Sequence, residues 1–320
     1  MGVRGVIVRL NDSWQNLVQD RAQSPSGQYP PAIEQLLGEM AAASLLMQAN
    51  IKFNGALILQ MHGDGPVKLA VTEVQPNLSF RSTAQQTPVP SGSVAHTEIG
   101  TNQDFAPIQS LLNIHGQGRL AITLDPLDRL PGQQPYQGIV PLKNAQGQAL
   151  ESLAQVIEHY MLQSEQLETR LVLAANENCA AGILLQRLPP SSQTENINPS
   201  LSAGASDDFN RLGHLLATLT RAELLELDCP TLLRRLFWEE QVRLLLPTLY
   251  PSYRCRCSRE RVGRMLFNLG LTEANTIIAE QSEIDIGCEY CGKHYFFDSV
   301  DIGQLFTPDA DQPPTSQSIQ

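Results

Sequence analysis

Four cysteines near the C-terminus have the spacing of metal ligands. Cys255 and Cys257 form a C-x-C pair, and 30 residues later Cys288 and Cys291 form a C-x-x-C pair. Four thiolates in two close pairs suit a tetrahedral Zn²⁺ ion. Such a metal contributes roughly 10–16 kcal/mol of folding free energy in zinc-finger peptides, so it could hold a small module together. The sequence therefore predicts one Zn²⁺ per chain on these four residues.

The same sulfurs also form two neighbouring dithiols, so a structural metal site and a redox switch are both compatible with the motif. Oxidation to disulfides would remove the ligands of the metal. Arginines surround the first pair, and they could balance the thiolate charge, attract anionic oxidants or contact nucleic acid; they are Arg254, Arg256, Arg259, Arg261 and Arg264. Residues 251–320 carry 6 Lys+Arg against 10 Asp+Glu, a net charge of −4, which disfavours a phosphate-binding surface.

Other candidate residues give weaker evidence for a metal site or a catalytic site. His294 could replace one cysteine as a ligand, whereas Cys179 and Cys229 stand alone and are expected to be small apolar fillers. A thioredoxin-like enzyme would place Cys288 and Cys291 at the start of a helix, but an aromatic run follows them. The chain also contains no P-loop, H-E-x-x-H or G-x-S-x-G motif, so we expect no enzyme.

Composition limits the class of protein. The chain has 320 residues, 42% hydrophobic residues and a formal net charge of −11, which indicates two or three globular parts and argues against nucleic-acid binding. No signal peptide and no run of about 20 apolar residues is present, so a cytoplasmic protein without membrane contact is expected.

The N-terminal part alternates between strands and helices. Strand patterns cover Val3–Leu10, Gly55–Met61, Val67–Val74, Ala121–Leu124, Gln137–Leu142, Arg170–Ala175 and Ala180–Leu188. Helical spacing covers Ala32–Gln48 and Ser152–Glu168. His62–Pro66 is a turn, and Ser82–Gln117 is predicted to be a long polar surface loop. These patterns predict an α+β domain over residues 1–188, with an antiparallel sheet and packed helices.

A linker and helical connector are predicted over residues 189–250. Pro189–Asp208 has linker composition, and an amphipathic connector follows, with a capping box at Thr220–Glu223 and a helix over Leu232–Leu246. The apolar stripe of the connector is expected to pack on the neighbouring module. Residues 251–306 form the small C-terminal zinc module that carries the four cysteines, and residues 307–320 a disordered tail.

These motifs resemble the heat shock protein 33 family of redox-regulated holdase chaperones. The resemblance spans nearly the whole chain and rests on Leu37–Glu39, His62–Pro66, Tyr136–Leu142, Ser164–Gln166, Thr169-Arg170, Ala181–Gln186, Leu232–Phe237, Cys255–Val262, Cys288–Cys291, Phe297-Asp298 and Leu305-Phe306. Much of Ser82–Gln117 falls outside it, because that segment is longer than the family usually carries.

The resemblance implies a switch. The reduced form would be an inactive monomer with Zn²⁺ on the four cysteines. Oxidation would form the Cys255–Cys257 and Cys288–Cys291 disulfides and release the metal. The connector would then loosen, and a homodimer would bind unfolding client proteins without ATP. The alternatives are a constitutive zinc ribbon that docks a protein or nucleic-acid partner, and a thiol–disulfide enzyme.

Overall fold

The computed structural model describes residues 2–87, 107–188, 199–245 and 248–307, with only the helical backbone for 199–206. Its strands are β1 (Val3–Leu10), β2 (Gly55–His62), β3 (Val67–Val74), β4 (Ser79–Gln86), β5 (Arg119–Pro126), β6 (Tyr136–Pro141), β7 (Thr169–Ala175), β8 (Ala180–Arg187), β9 (Ser252–Tyr253), β10 (Ile284–Gly287) and β11 (His294–Phe297). Its helices are α1 (Asp12–Ala22), α2 (Pro31–Asn50), α3 (Ile108–Leu112), α4 (Leu153–Ser164), α5 (Pro199–Ala217), α6 (Arg221–Glu226), α7 (Cys229–Leu236), α8 (Arg259–Leu269), α9 (Leu271–Gln281) and α10 (Ser299–Leu305).

Helix α2 lies between two sheets and is buried on all sides. One sheet has the strand order β6-β5-β2-β3-β4-β9 and the other β1-β8-β7. Every residue from Leu36 to Gln48 is buried, as expected for a helix that is apolar around its circumference. At Gly38 a Cβ atom would lie 2.4 Å from the Cβ of Ala175, so the close crossing of α2 over β7 requires glycine. The predicted α+β class with an antiparallel sheet is confirmed.

The sheet β1-β8-β7 is buried on both faces. Along β8, Ala180 and Leu184 face the cluster around α2, whereas Ile183 and Leu185 face α5, α6 and α7. The connector therefore packs its apolar stripe on the core sheet, through residues such as Phe209. The expectation that the stripe packs on the cysteine module is wrong. An amphipathic pattern shows which face is buried, but it does not identify the surface that covers that face.

Several predicted boundaries differ from those observed. The loop predicted at Ser82–Gln117 contains the end of β4 and helix α3, while residues 88–106 lie outside the described part of the chain. The linker predicted at Pro189–Asp208 is helical from Pro199, and residues 189–198 are also outside that part. Helix α4 ends at Ser164 because Gln166 has a left-handed backbone, with φ of 56°.

The predicted helix Leu232–Leu246 ends at Leu236. From Gln241 to Leu245 the side chains have no surface to cover them: Leu244 is 81% exposed. Because most helical stability in proteins comes from packing of an apolar face, leucine spacing alone does not extend α7. The predicted tail, apart from Thr307, lies outside the described residues.

Two local predictions are confirmed: the capping box and the turn at His62–Pro66, which joins the paired strands β2 and β3. The capping box joins Thr220 and Glu223 at the start of α6, and Asp228 caps α7 by accepting a hydrogen bond from the backbone of Thr231. Asp64, in the turn between β2 and β3, accepts backbone hydrogen bonds from residues 115 and 117. Among the described residues, none of the helices has both the length and the apolar character needed to span a bilayer.

Candidate metal centre

The cysteine module has a small core of its own. Helices α8, α9 and α10 pack around the hairpin β10–β11. Its buried cluster consists of Leu266, Ala274, Ile284, Tyr295, Phe297 and Ile302. Cores of this size rarely stabilise an isolated module, and small natural domains commonly add a metal or disulfides.

Local backbone geometry positions the two cysteine pairs. The first pair follows β9 and precedes α8, whose N-cap Ser258 accepts a hydrogen bond from the backbone N–H of Arg261 at 3.3 Å. The second pair lies in the turn that joins β10 to β11. There the N–H of Cys288 donates to the carbonyl of Lys293 at 2.9 Å, and Gly292 supplies the left-handed backbone, with φ of 70°.

The four sulfurs meet in one group. The Sγ–Sγ distances are 3.4 Å between Cys255 and Cys257, 3.6 Å between Cys255 and Cys288 and 3.4 Å between Cys257 and Cys291. All four sulfurs lie within 4.8 Å of one another, and all four cysteines are free thiols. Zn–S bonds of about 2.3 Å place tetrahedral sulfurs about 3.8 Å apart, so the arrangement fits a four-coordinate soft metal ion.

Protonation is divided unevenly among these sulfurs. A hydrogen bond from Cys255 lowers the pKa of Cys288 to about 4, and the same contact raises the pKa of Cys255. Burial raises the pKa of Cys291 to about 11. Tyr295 donates a further hydrogen bond to the sulfur of Cys257 at 3.1 Å. A divalent cation would favour four thiolates and displace the remaining protons.

Other sequence candidates lie away from the sulfur group. His294 bonds through Nδ1 to Asp285 at 2.6 Å and does not belong to the group. Cys179 packs in the apolar cluster beneath the connector, and burial raises the pKa values of both Cys179 and Cys229. Both are therefore poorly ionised thiols, in agreement with their predicted role as fillers.

Three of the nearby arginines bind oxygen atoms. Arg256 pairs with Glu73 on β3, Arg259 pairs with Asp301 at 2.7 Å, and Arg261 donates to the carbonyl of Arg256 at 3.0 Å. These contacts organise the module and its attachment to the sheet. They do not favour the hypothesis that these three side chains serve mainly to stabilise thiolates.

Sequence reasoning missed the surface on which the module docks. β9 pairs in parallel with β4. The rings of Phe80 and Tyr253 pack edge to face, with their centroids 6.4 Å apart. Glu73 on β3 and Arg81 on β4 also contact the module. The one local sign is Glu73, an acidic residue near the end of the largely buried strand β3.

Comparison with known proteins agrees with this architecture. The family model described as Hsp33 protein matches residues 1–298. The 33 kDa chaperonins of Chromobacterium violaceum and Methylobacillus flagellatus are 42% and 40% identical, covering 96% and 97% of this chain and 90% and 92% of their own lengths. The crystal structure of the 33 kDa chaperonin from Thermotoga maritima shares the fold, with a TM-score of 0.71 and 18% identity over 95% of this chain and 93% of that one. The chain therefore belongs to the Hsp33 family.

Proposed function

We propose that this chain is a redox-regulated, ATP-independent holdase chaperone. Membership of the Hsp33 family supports the chaperone class and argues against an enzyme, since its curated relatives carry the name 33 kDa chaperonin. The observation that carries the redox part is the convergence of four free thiols within 4.8 Å in a module with a small core.

In the reduced state, Cys255, Cys257, Cys288 and Cys291 hold one Zn²⁺, and the protein is an inactive monomer. When bound, the ion cross-links the segment before α8 to the turn between β10 and β11. Oxidation by a peroxide or hypochlorite takes two electrons from the two thiolates of each close pair, and the reduced oxidant takes its protons from water. The Cys255–Cys257 and Cys288–Cys291 disulfides form, and Zn²⁺ is released. The pairing within each motif comes from the family resemblance, because Cys257 lies 3.4 Å from both Cys255 and Cys291.

Loss of the ligands loosens the module and then the connector. The segment 237–251 joins α7 to β9, so release of the module frees one end of that segment. It already exposes large apolar side chains: Trp238 is 74% exposed and Tyr250 84%. Unfolding of α5–α7 would add their buried leucines, and such apolar surface binds unfolded clients. The active form is a homodimer in the cytoplasm, with no nucleic-acid or membrane partner.

The test measures zinc content and suppression of client aggregation on the same samples. Reduced protein should hold about one zinc and should not protect a heat-denatured client. After peroxide or hypochlorite it should lose zinc and protect the client without ATP, and dithiothreitol with zinc should reverse both changes. A Cys179→Ser/Cys229→Ser double variant is the matched control and should switch normally. Equal protection by reduced, zinc-loaded protein would contradict the switch and favour a constitutive docking module.

A further inference from the structure

Both cysteine loops contact one buried ion pair of the core sheet. Glu73 on β3 is 6% exposed, and its Oε2 accepts a hydrogen bond from Nε of Arg81 on β4 at 2.9 Å. Its other oxygen, Oε1, accepts from Nη2 of Arg256, the residue between Cys255 and Cys257. The first metal-ligand loop is thus tied to a carboxylate 183 residues away in the sequence.

The second loop reaches the same pair from the other side. Tyr290 lies between Cys288 and Cys291, and the Arg81 guanidinium lies 3.9 Å from the centroid of its ring. A cation over an aromatic face contributes about 0.5–1 kcal/mol at exposed sites and more when desolvated. We name these four residues, Glu73, Arg81, Arg256 and Tyr290, the Glu73 clamp.

Backbone contacts beside the clamp hold the module along β4. The N–H of Ser252 donates to the carbonyl of Leu78 at 3.3 Å, and that of Arg254 donates to the carbonyl of Phe80 at 2.9 Å. The Thr83 hydroxyl donates to the carbonyl of Glu289 in the second loop. Docking therefore depends on both loops keeping their arrangement.

Glu73 is paired with two arginines, one on the sheet and one on the module, and this arrangement suits a contact that opens reversibly. A buried carboxylate left without a partner is strongly destabilising, by about 3–5 kcal/mol. Glu73 keeps Arg81 when Arg256 departs, so the sheet retains a paired charge after the module leaves. The bond between Glu73 and Arg256 can break without leaving an unpaired buried ion.

We propose that the Glu73 clamp is an interdomain latch that holds the module on β4 and opens when the cysteine loops rearrange. A Cys255–Cys257 disulfide would alter the backbone that positions Arg256, and a Cys288–Cys291 disulfide would alter the backbone that positions Tyr290. Either change would move that side chain away from Glu73 and Arg81. Coupling between sites is reciprocal in free energy, so the latch also strengthens binding of the metal by the module. This inference rests on the proposed metal site and requires no chaperone activity.

The test uses reduced, zinc-loaded protein with neither oxidant nor client. Arg256→Gln should accelerate amide exchange at Ser252 by about tenfold and should raise the equilibrium ratio of chelator-bound to protein-bound zinc by about the same factor, which corresponds to ~1.4 kcal/mol. The matched control is Arg254→Gln, which removes the same charge one residue before Cys255. Arg254 is exposed and has no ion-pair partner among the described residues, so it should behave as wild type.

Two further variants keep the latch falsifiable. In the double variant Glu73→Gln/Arg256→Gln, the effect on amide exchange at Ser252 should be smaller than the sum of the two single effects, because both changes break the same contact. Arg256→Gln could lose protection from amide exchange throughout the core, and Arg256→Lys is then the variant to measure. It should give a rate of exchange at Ser252 between those of wild type and Arg256→Gln, and a wild-type rate would refute the latch. Exchange in Arg256→Gln within twofold of wild type, or an equal effect of Arg254→Gln, would also overturn it. Because no client is present, these results are independent of the aggregation assay.

Discussion

The environments of individual cysteines separate two kinds of sulfur in this chain. Cys255, Cys257, Cys288 and Cys291 face one another, and hydrogen bonding between Cys255 and Cys288 lowers the pKa of Cys288 to about 4. Cys179 instead packs among apolar side chains such as Ile183 and Leu225, where burial raises its pKa. Thiolate character, which metal binding and oxidation both require, is therefore concentrated at Cys288, beside three further sulfurs that a divalent cation would deprotonate.

The first prediction concerns the metal ligands. Replacing Cys288 by Ser should reduce zinc content well below one per chain, because three thiolates leave the tetrahedral shell incomplete. Cys229→Ser should retain full zinc, since this thiol lies outside the group of four. Metal analysis of reduced, desalted protein makes the comparison, and full zinc retention in Cys288→Ser would refute the ligand assignment.

A buried carboxyl on α2 should give the fold a pH dependence. Burial raises the pKa of Glu39 from 4.5 to about 7, despite hydrogen bonding to Gln35 and the charge of Arg221 3.8 Å away. Because the folded state binds this proton more tightly than the unfolded state, the stabilisation is complete below pH 4.5 and is lost as the pH rises through 7. Each unit of pKa difference corresponds to about 1.4 kcal/mol.

Glu39→Gln should therefore be more stable than wild type at pH 8 and should flatten the decline between pH 5 and 7.5. Arg221→Gln should steepen that decline, because it removes the charge that favours ionised Glu39. Urea unfolding of the core at several pH values gives the comparison. A parallel decline in Glu39→Gln and wild type would show that another group titrates.

At the scale of elements, the sequence predicted the helices, strands and motifs that have a local pattern. It did not predict the contacts between residues that are far apart in the chain. The apolar patterns of β3 and β8 and the mostly apolar helix α2 predicted their own structures, because each is buried over most of its length. Strand β1 was predicted from its alternation, although most of its residues are only half-buried. The four cysteines were found for a similar reason: the spacing within each motif places two ligands together. The bond from Glu73 to Arg256 and the packing of Phe209 on the sheet depend on residues distant in sequence, and neither leaves a local pattern.

The connector should be the weakest part of the described core. Phe209 is 1% exposed and belongs to the cluster that joins α5–α7 to β7 and β8. Phe209→Ala should destabilise that attachment by about 3–5 kcal/mol, the usual effect of removing a buried aromatic ring. Hydrogen exchange should then accelerate in α5–α7 while zinc stays bound, and reduced protein should begin to protect a client. His214→Ala, on the exposed face of α5, is the control. Unchanged exchange in Phe209→Ala would exclude this packing as the restraint on the connector.

At the scale of the whole molecule, the described residues form three apolar clusters of unequal size. The cluster around α2 contains 39 buried residues, that under the connector 14 and that of the cysteine module 6. Since hydrophobic stabilisation grows with the apolar area removed from water, the three parts should differ in their dependence on the metal. We therefore expect the core to fold without zinc and the module to require it.

Removal of zinc by a chelator under reducing conditions should therefore unfold the module alone. Amides of β10 and β11 and of Ser252 should lose protection, because the metal's folding free energy disappears and β9 loses its anchor on β4. Amides of β2, β3 and β5 should stay protected, because their ladder and the packing of α2 involve no residue of the module. Calorimetry should show that the unfolding transition of the module disappears, while the transition of the core stays at the same temperature. A single transition that shifts as a whole would mean that core and module unfold together, and would remove the independent module on which local switching depends.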